Sequence, residues 1–110
     1  MISRVWRGWT PPEQADAYET LLLTKMLPEI RDQNIPGYHG AYLYRRTVDK
    51  EVEFMTTLFF DSLEAVATFA GPDYEVAVIH PEAVGLLSRY EPRSTHFEVR
   101  RTPVADSRNP

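Results

Sequence analysis

Apolar and polar residues alternate along three separate stretches of the chain, at 2–9, 38–48 and 51–60. Alternation with a period of two places successive side chains on opposite faces of a β-strand, so these stretches predict three strands. A fourth alternating stretch, STHFEVRR at 94–101, predicts the last strand. Only Asp49 and Lys50 separate the second strand from the third, and so short a link is typical of a β-hairpin.

The segment from Thr10 to about Gln33 is predicted to be an amphipathic helix. Its apolar residues recur at every fourth position and therefore share one helical face; they are Tyr18, Leu22, Met26 and Ile30. Thr10 and Glu13 have the spacing of a capping box that would open this helix. Pro28 has no backbone N–H, so we expect a kink or a break near Met26.

Two shorter helices are predicted in the second half of the chain. Asp61 and Glu64 mark the start of one of them, and Gly71-Pro72 is a common signal for its end. The stretch HPEAVGLLSRY at 80–90 predicts a further short helix with Pro81 at its first position. One domain is expected at 1–101, followed by a flexible tail at 102–110 that is polar and bracketed by prolines.

These elements follow the order βαββαβ, with an extra short helix before the last strand. Two crossovers that flank a hairpin are typical of the ferredoxin-like split βαβ arrangement, an α+β fold with a four-stranded antiparallel sheet and helices on one face. The other face would be polar if it met water. Bulky apolar residues occur on both faces, however. The second strand places Tyr38, Tyr42 and Tyr44 on one side and Ala41 and Leu43 on the other, and the third strand carries aromatic residues on both sides, with Phe54, Leu58 and Phe60 opposite Met55 and Phe59. We therefore expect a homodimer that packs sheet to sheet and buries these side chains.

Composition excludes several classes of function. The chain has 110 residues and no cysteine, which rules out disulfides, thiolate catalysis and zinc sites built from cysteine. Its net charge of −4 argues against a nucleic-acid partner. No stretch approaches the ~18 apolar residues of a membrane span, and Arg4 and Arg7 interrupt the apolar run that a secretory signal needs. A cytoplasmic protein without a membrane partner is expected.

Four stretches of the sequence together form a family pattern: VWRGWT, IPGYHGAYLYRR, EVEFMTTLFFDSLEAVATFAGPDYEVAV and HFEV. With them the chain resembles the antibiotic biosynthesis monooxygenase-like family of the dimeric α/β barrel superfamily, over about residues 1–101. The most specific element is FFDSLEAVATFAG at 59–71. The resemblance implies a dimeric α/β barrel and places the chain beside small oxygenases that oxidise polycyclic phenols or hydroquinones with O₂. Those enzymes use neither a metal nor a flavin, so no cofactor is expected.

Other members of this family open the haem ring, and the chain departs from their pattern. They use an Asn on the first strand, where this sequence has Arg7 and Gly8. They use a Trp near the second helix, where this sequence has Phe69. Only His80 lies near the position of their iron-binding His. Haem degradation is therefore not expected.

His80 and Tyr74 are the candidate catalytic residues. The ordinary pKa of an imidazole, near ~6.5, suits His80 to removing a phenolic proton. The position of His80 immediately before Pro81 is also that of a residue that opens a helix, and this interpretation is preferred. Tyr74 follows the second helix, where a loop can roof a barrel cavity, although an ordinary loop position explains it equally well.

The candidate contacts to a flat aromatic substrate are Trp6, Arg7, Tyr42 and Phe69. Trp6 and Tyr42 would form flat walls, but a place in the core or at an interface is the preferred interpretation of such strand aromatics. One of Arg4 and Arg7 must point inward unless the strand lies at an edge, and an inward arginine could bind an enolate or a carboxylate. A cross-strand ion pair, with Glu51, Glu53 or Glu98, is the safer interpretation.

The histidines do not predict a metal site. His39 and His96 lie in strands, at positions that favour exposure or a sheet edge, and the three histidines lack metal-ligand spacing. Two hypotheses therefore stand: a cofactor-independent oxygenase of phenolic or hydroquinone-type compounds, and a non-catalytic homodimer that binds a small apolar ligand.

Overall fold

Five β-strands form one open antiparallel sheet in the computed structural model, which describes residues 1–103. The strands are β1 (Ile2–Thr10), β2 (Tyr38–Val48), β3 (Glu51–Phe60), β4 (Arg89–Tyr90) and β5 (Thr95–Glu98). They lie in the order β2, β3, β1, and both β4 and β5 pair with the remaining edge of β1. The chain is thus an α+β protein, as predicted, and is compatible with a ferredoxin-like fold. The expected four strands are five, because Arg89–Tyr90, predicted as the end of a helix, forms an additional short strand.

The gap between β4 and β5 has a local cause. The N–H of Glu91 still donates to the carbonyl of Arg7 in β1, but residues 92–94 bond instead to the loop that leads towards His80. Arg93 forms a β-bridge with Val76, and the Ser94 N–H donates to the carbonyl of Glu75 at 2.6 Å. The alternating stretch at 94–101 is therefore a strand only from Thr95 to Glu98.

The helices are α1 (Ala15–Leu21), α2 (Leu27–Asp32) and α3 (Leu63–Ala70). A π-helical turn, Leu22–Met26, joins α1 to α2 in one long helical segment, and the N–H of Leu27 donates to the carbonyl of Leu22. The irregularity predicted from Pro28 is therefore confirmed, as a π-helical turn rather than an end. Within residues 1–103, no helix is long and apolar enough to cross a membrane.

The helix ends follow the sequence signals only in part. Pro11, not Thr10, occupies the position before the first helical turn, Pro12–Gln14, and no side chain caps that turn. The predicted capping box is therefore wrong, because Thr10 is the fully buried last residue of β1. α3 is capped by the hydroxyl of Ser62, which accepts from the N–H of Ala65 at 3.2 Å. It ends at Gly71 as predicted, with a φ of 95° that favours glycine.

All three helices pack on one face of the sheet, here called the helix face. The even-numbered residues of β1 and β3 point to it and form two buried clusters with the helices. In the first cluster, Tyr18 and Leu22 of the helices pack with Phe54 of β3. In the second cluster, Ile30 and Val66 of the helices pack with Phe60 of β3.

The opposite face of the sheet, here called the open face, has no helix against it in residues 1–103. Aromatic and other apolar side chains occur on it, and three of them are about half exposed: Tyr42, Tyr44 and Phe97. The predicted presence of aromatic residues on both faces is confirmed. Trp6 and Trp9 point to opposite faces of the sheet.

A β-bulge in β2 corrects the predicted face of Tyr38. Tyr38 pairs with Phe60, whereas Gly40 pairs with Phe59, so one extra residue lies between them. The bulge turns the Tyr38 ring to the helix face, where it lies 5.4 Å from the Phe60 ring. Gly40 has a φ of 117°, which few other residues adopt without strain.

The predicted tail at 102–110 lies mostly outside the described residues. Thr102 and Pro103, which the structure does describe, have no regular secondary structure. Both contribute to a shallow depression on the open face beside Tyr42 and Phe59.

Candidate functional site

A cavity of about 200 Å³ lies between the helix face of the sheet and the helices. Its position follows from the register, because Arg4 and Trp6 of β1 share their face with Thr56 and Leu58 of β3. The remaining walls come from the helices and from the segment before β4: Tyr18, Leu22, Met26, Glu29, Ile30, Gln33, Phe69, Val78, Ile79, His80, Pro81, Ala83 and Ser94. A mainly apolar cavity with a few polar groups is typical of a small-molecule site.

Three of the six predicted site residues line this cavity: Trp6, Phe69 and His80. Tyr74 lies beside it, in a second and more open depression, with its ring edge-on to His96 at 5.2 Å between centroids. Tyr42 and Arg7 are not among the lining residues. They lie on the open face, because Tyr42 pairs with Thr57 and the odd-numbered residues of β1 point away from the helices.

Both ring nitrogens of His80 are engaged. Nδ1 accepts a hydrogen bond from the backbone N–H of Glu82 at 3.2 Å, and Nε2 lies 3.3 Å from Oε1 of Glu29. Since Nδ1 accepts, a neutral ring carries its proton on Nε2 and directs its lone pair to a backbone amide. His80 thus opens the short helical turn Pro81–Ala83, so the predicted start is confirmed. The helix predicted over 80–90 is wrong in extent, because the turn ends at Ala83 and Arg89–Tyr90 form β4. To act as a base, the ring would have to release the N–H of Glu82.

Arg4 is the inward arginine of β1, with only 3% of its surface exposed. Its Nη1 donates to the carbonyl of Tyr74 and lies 3.1 Å from Nε2 of His96. Its Nη2 donates to the carbonyl of Val76 at 2.9 Å. The guanidinium therefore fixes the loop after α3 to the sheet, and it lies 5.6 Å from the ring centroid of Phe69.

The hydrogen-bond partners of Arg4 are all neutral. Among residues 1–103, no carboxylate lies within ion-pair distance of its guanidinium. Burial without a counter-charge lowers the pKa of Arg4 to about 10. The side chain still carries its full positive charge at neutral pH. The predicted cross-strand ion pair is therefore made by the other arginine of β1, not by Arg4.

That other arginine, Arg7, belongs to a charge network on the open face. Its Nη2 lies 3.0 Å from Oε2 of Glu91, and its Nη1 lies 4.0 Å from Oε2 of Glu53. The hydrogen bond to Glu91 is the main cause of a raised pKa for Arg7. Glu53 is buried between Arg7 and Arg46. The predicted ion pair with Glu53 is confirmed, and it gives Arg7 a structural role across the sheet.

His96 lies on an edge strand, as predicted, but its ring turns inward to Arg4. A guanidinium can only donate, so Nε2 of His96 accepts and the proton of the neutral ring is on Nδ1. Nδ1 is buried and has no hydrogen-bond partner among the residues described. Burial, and then the charge of Arg4, lower the pKa of His96. The ring is therefore neutral at neutral pH, which lets it hold the guanidinium in place.

Gly8 leaves room for the indole of Trp6. A Cβ atom on Gly8 would lie 2.7 Å from Cη2 of Trp6 and 2.9 Å from Cδ2 of Leu87, closer than such atoms approach in proteins. The indole is held in its place, because its Nε1 donates to the carbonyl of Glu91 at 2.7 Å. Gly8 thus sets where one wall of the cavity stands.

We expect Gly8→Ala to lower the free energy of unfolding by about 1–3 kcal/mol, the usual range for an overpacked site. The added methyl group must displace Trp6 or Leu87, both of which pack against the first core cluster. Urea unfolding followed by tryptophan fluorescence measures the loss. Gly85→Ala is the matched control, because a Cβ there meets no atom within 4 Å. Equal urea midpoints for Gly8→Ala and Gly85→Ala would show that Trp6 and Leu87 can shift to accommodate the methyl group without loss of stability.

Neither a metal site nor a known family identifies the chemistry of this cavity. Among residues 1–103, no three His, Asp or Glu side chains are placed to hold a metal ion. No model of a known protein family matches the chain, and no curated protein matches it either. The charged or ionisable groups that line the cavity include the Arg4 guanidinium, the His80 ring and the Glu29 carboxylate, and the side chains of Gln33, Thr56 and Ser94 add neutral polar groups.

Proposed function

We propose that the protein is a small cofactor-independent oxygenase of phenolic or hydroquinone-type aromatic compounds, like members of the antibiotic biosynthesis monooxygenase-like family it resembles. The observation that supports this proposal is the cavity between the helices and the sheet. It is mainly apolar, and rings of Trp6, Tyr18 and Phe69 contribute to its walls. Such walls suit a planar aromatic ring, and the polar groups at either end would orient it.

The proposed reaction needs only the substrate and O₂. In an anthrone, the CH₂ group between the rings loses a proton, and the resulting anion reduces O₂ and combines with it to form a peroxide. The peroxide then loses hydroxide, which recovers the first proton as water, and the CH₂ group becomes a carbonyl. One oxygen atom enters the product and the other becomes water, and the substrate supplies all the electrons. The protein would exclude water, orient the ring and stabilise the anion.

His80 is the proposed base, with Tyr74 nearby in the loop. His80 lines the cavity and Glu29 contacts its Nε2. Its lone pair is directed at the N–H of Glu82, however, and this favours a second candidate function. In that alternative the protein binds a small apolar ligand in the same cavity without converting it.

A homodimer is part of the proposal in both cases. We propose that the layout is βαββαβ and that two copies pack with their open faces together, as in a dimeric α/β barrel. The helices cover only the helix face, so the aromatic side chains of the open face remain exposed in one copy. The open face carries Trp9, Tyr42, Tyr44 and Phe97, and aromatic residues of these types are enriched in protein interfaces.

Oxygen uptake tests the proposed reaction. With a chelator present and no cofactor added, we expect purified protein to consume O₂ with at least one of a panel of anthrones, naphthols and hydroquinones. His80→Ala is expected to slow the uptake by about 10²-fold or more, the usual contribution of a general base. His39→Ala is the matched control, because His39 lies outside the cavity and pairs with Asp61 at the protein surface.

Each outcome separates the candidate functions. Full activity in His80→Ala would show that His80 is not the base, but it would still support the oxygenase. A flat trace across the panel, from protein that is folded and is stabilised by the same compounds, would contradict the oxygenase and support the non-catalytic ligand-binding protein.

A further inference from the structure

We propose that Arg4 forms an anion subsite in the cavity, and that it selects planar aromatic ligands carrying an anionic oxygen, a carboxylate or a phenolate. This inference rests on the cavity of the proposed function but does not require turnover. Arg4 is carried by a central strand and is almost fully buried, so its position is fixed by the fold.

The first reason is the missing counter-charge. A buried guanidinium is costly unless it is paired. Three neutral acceptors satisfy part of its hydrogen bonding without cancelling its charge: two backbone carbonyls and the ring of His96. Six other arginines of the described chain each have a carboxylate within 4.0 Å: Arg7, Arg31, Arg45, Arg46, Arg89 and Arg93. Arg4 is the most buried of these seven, yet it is the one without a carboxylate among residues 1–103.

The second reason is the inventory of donors. A guanidinium has five N–H groups. Nη1 uses both of its own, for Tyr74 and His96, and Nη2 uses one for Val76. Nε–H and the second hydrogen of Nη2 have no acceptor among the residues described. Nε and Nη2 share one edge of the guanidinium, and such an edge can bind a carboxylate with two parallel hydrogen bonds.

The third reason is that the guanidinium is already held in place. His96 and the two loop carbonyls fix its plane, so a ligand would not have to order a mobile side chain on binding. The other charged residue that lines the cavity, Glu29, contacts His80 and would repel an anion. The two charges therefore define a direction for the ligand, with its anionic oxygen at Arg4 and its ring among apolar side chains such as Leu58 and Phe69.

A matched pair of ligands tests the subsite. By titration calorimetry at neutral pH, we expect the wild-type protein to bind 2-naphthoate about 10- to 100-fold more tightly than 2-naphthamide, the range expected for a hydrogen bond to a charged group. Arg4→Met is expected to abolish this preference while changing the affinity for the amide by less than about threefold. Arg4→Lys, which keeps the charge without the planar fork, is expected to retain part of it.

The control is Arg45→Met, which removes a positive charge that pairs with Asp16 and Glu19 outside the cavity and is expected to keep the preference. Circular dichroism establishes that each variant is folded. If Arg4→Met does not fold, Arg4→Lys provides the comparison.

Equal binding of the acid and the amide by the wild-type protein would overturn the subsite, even if the protein oxidises phenols. A preference for the acid without oxygen uptake would support the subsite and contradict the oxygenase. Binding of neither ligand would contradict both the subsite and the ligand-binding cavity.

Discussion

Phe60→Ala is expected to lower the free energy of unfolding by about 3–5 kcal/mol, the range for deleting a fully buried phenyl ring. The Phe60 ring is completely buried, and its centroid lies 5.4 Å from that of Tyr38 and 5.8 Å from that of Phe69. It therefore joins β2, β3 and α3, and the variant leaves a void that these three elements cannot fill together. Urea unfolding measured by circular dichroism gives the loss.

The matched control for this variant is Phe97→Ala in dilute protein. Phe97 is on the open face and 54% of its surface is exposed. Its removal from a single copy is expected to change the free energy of unfolding by about 0.5 kcal/mol or less. Similar losses in the two variants would contradict the assignment of the core to the helix face.

Tyr44→Asp is expected to raise the dissociation constant of the proposed homodimer by about 100-fold or more, since an unpaired buried charge costs several kcal/mol. Tyr44 lies on the open face and its ring is 6.0 Å from that of Tyr42. In one copy it is 47% exposed, so the new carboxylate is tolerated there and is penalised only where two open faces meet. Sedimentation at several protein concentrations measures the constant.

Val84→Asp distinguishes a specific interface from a general effect of charge. Val84 is also an exposed apolar residue, but it follows the short turn Pro81–Ala83 and belongs to no strand of the sheet. This variant is expected to sediment like the wild type. A wild-type protein that remains monomeric at high concentration, or equal dissociation in both variants, would contradict a dimer that packs by its open faces.

The parts of the fold that depend on local pattern could be predicted from the sequence. β2 and β3 have the predicted bounds, because alternation and a two-residue link are properties of neighbouring residues. The end of α3 at Gly71 and the turn opened by His80 are local in the same way. The irregularity before Pro28 follows from a missing N–H, which the sequence shows directly.

The parts of the structure that depend on contacts between distant residues could not be predicted from the sequence. Arg4 and His96 are 92 positions apart and meet because β1 and β5 pair in one particular register. The alternating pattern shows that each residue lies in a strand, and it leaves the partner strand and the face of β5 open. The bulge at Gly40 is missed for a related reason, since one inserted residue changes the face of Tyr38 without changing the pattern around it.

The divided edge between β4 and β5 also affects how the protein behaves when it is concentrated. A long straight edge strand offers unpaired N–H and C=O groups that can template the sheet of another molecule and start a fibril. Here the edge beside β1 consists of two short strands, and residues 92–94 between them use backbone groups for the loop at 75–77. The opposite edge, β2, is bent by its bulge and carries Arg45 and Arg46. The addition of a strand from another molecule is therefore disfavoured at both edges of the sheet.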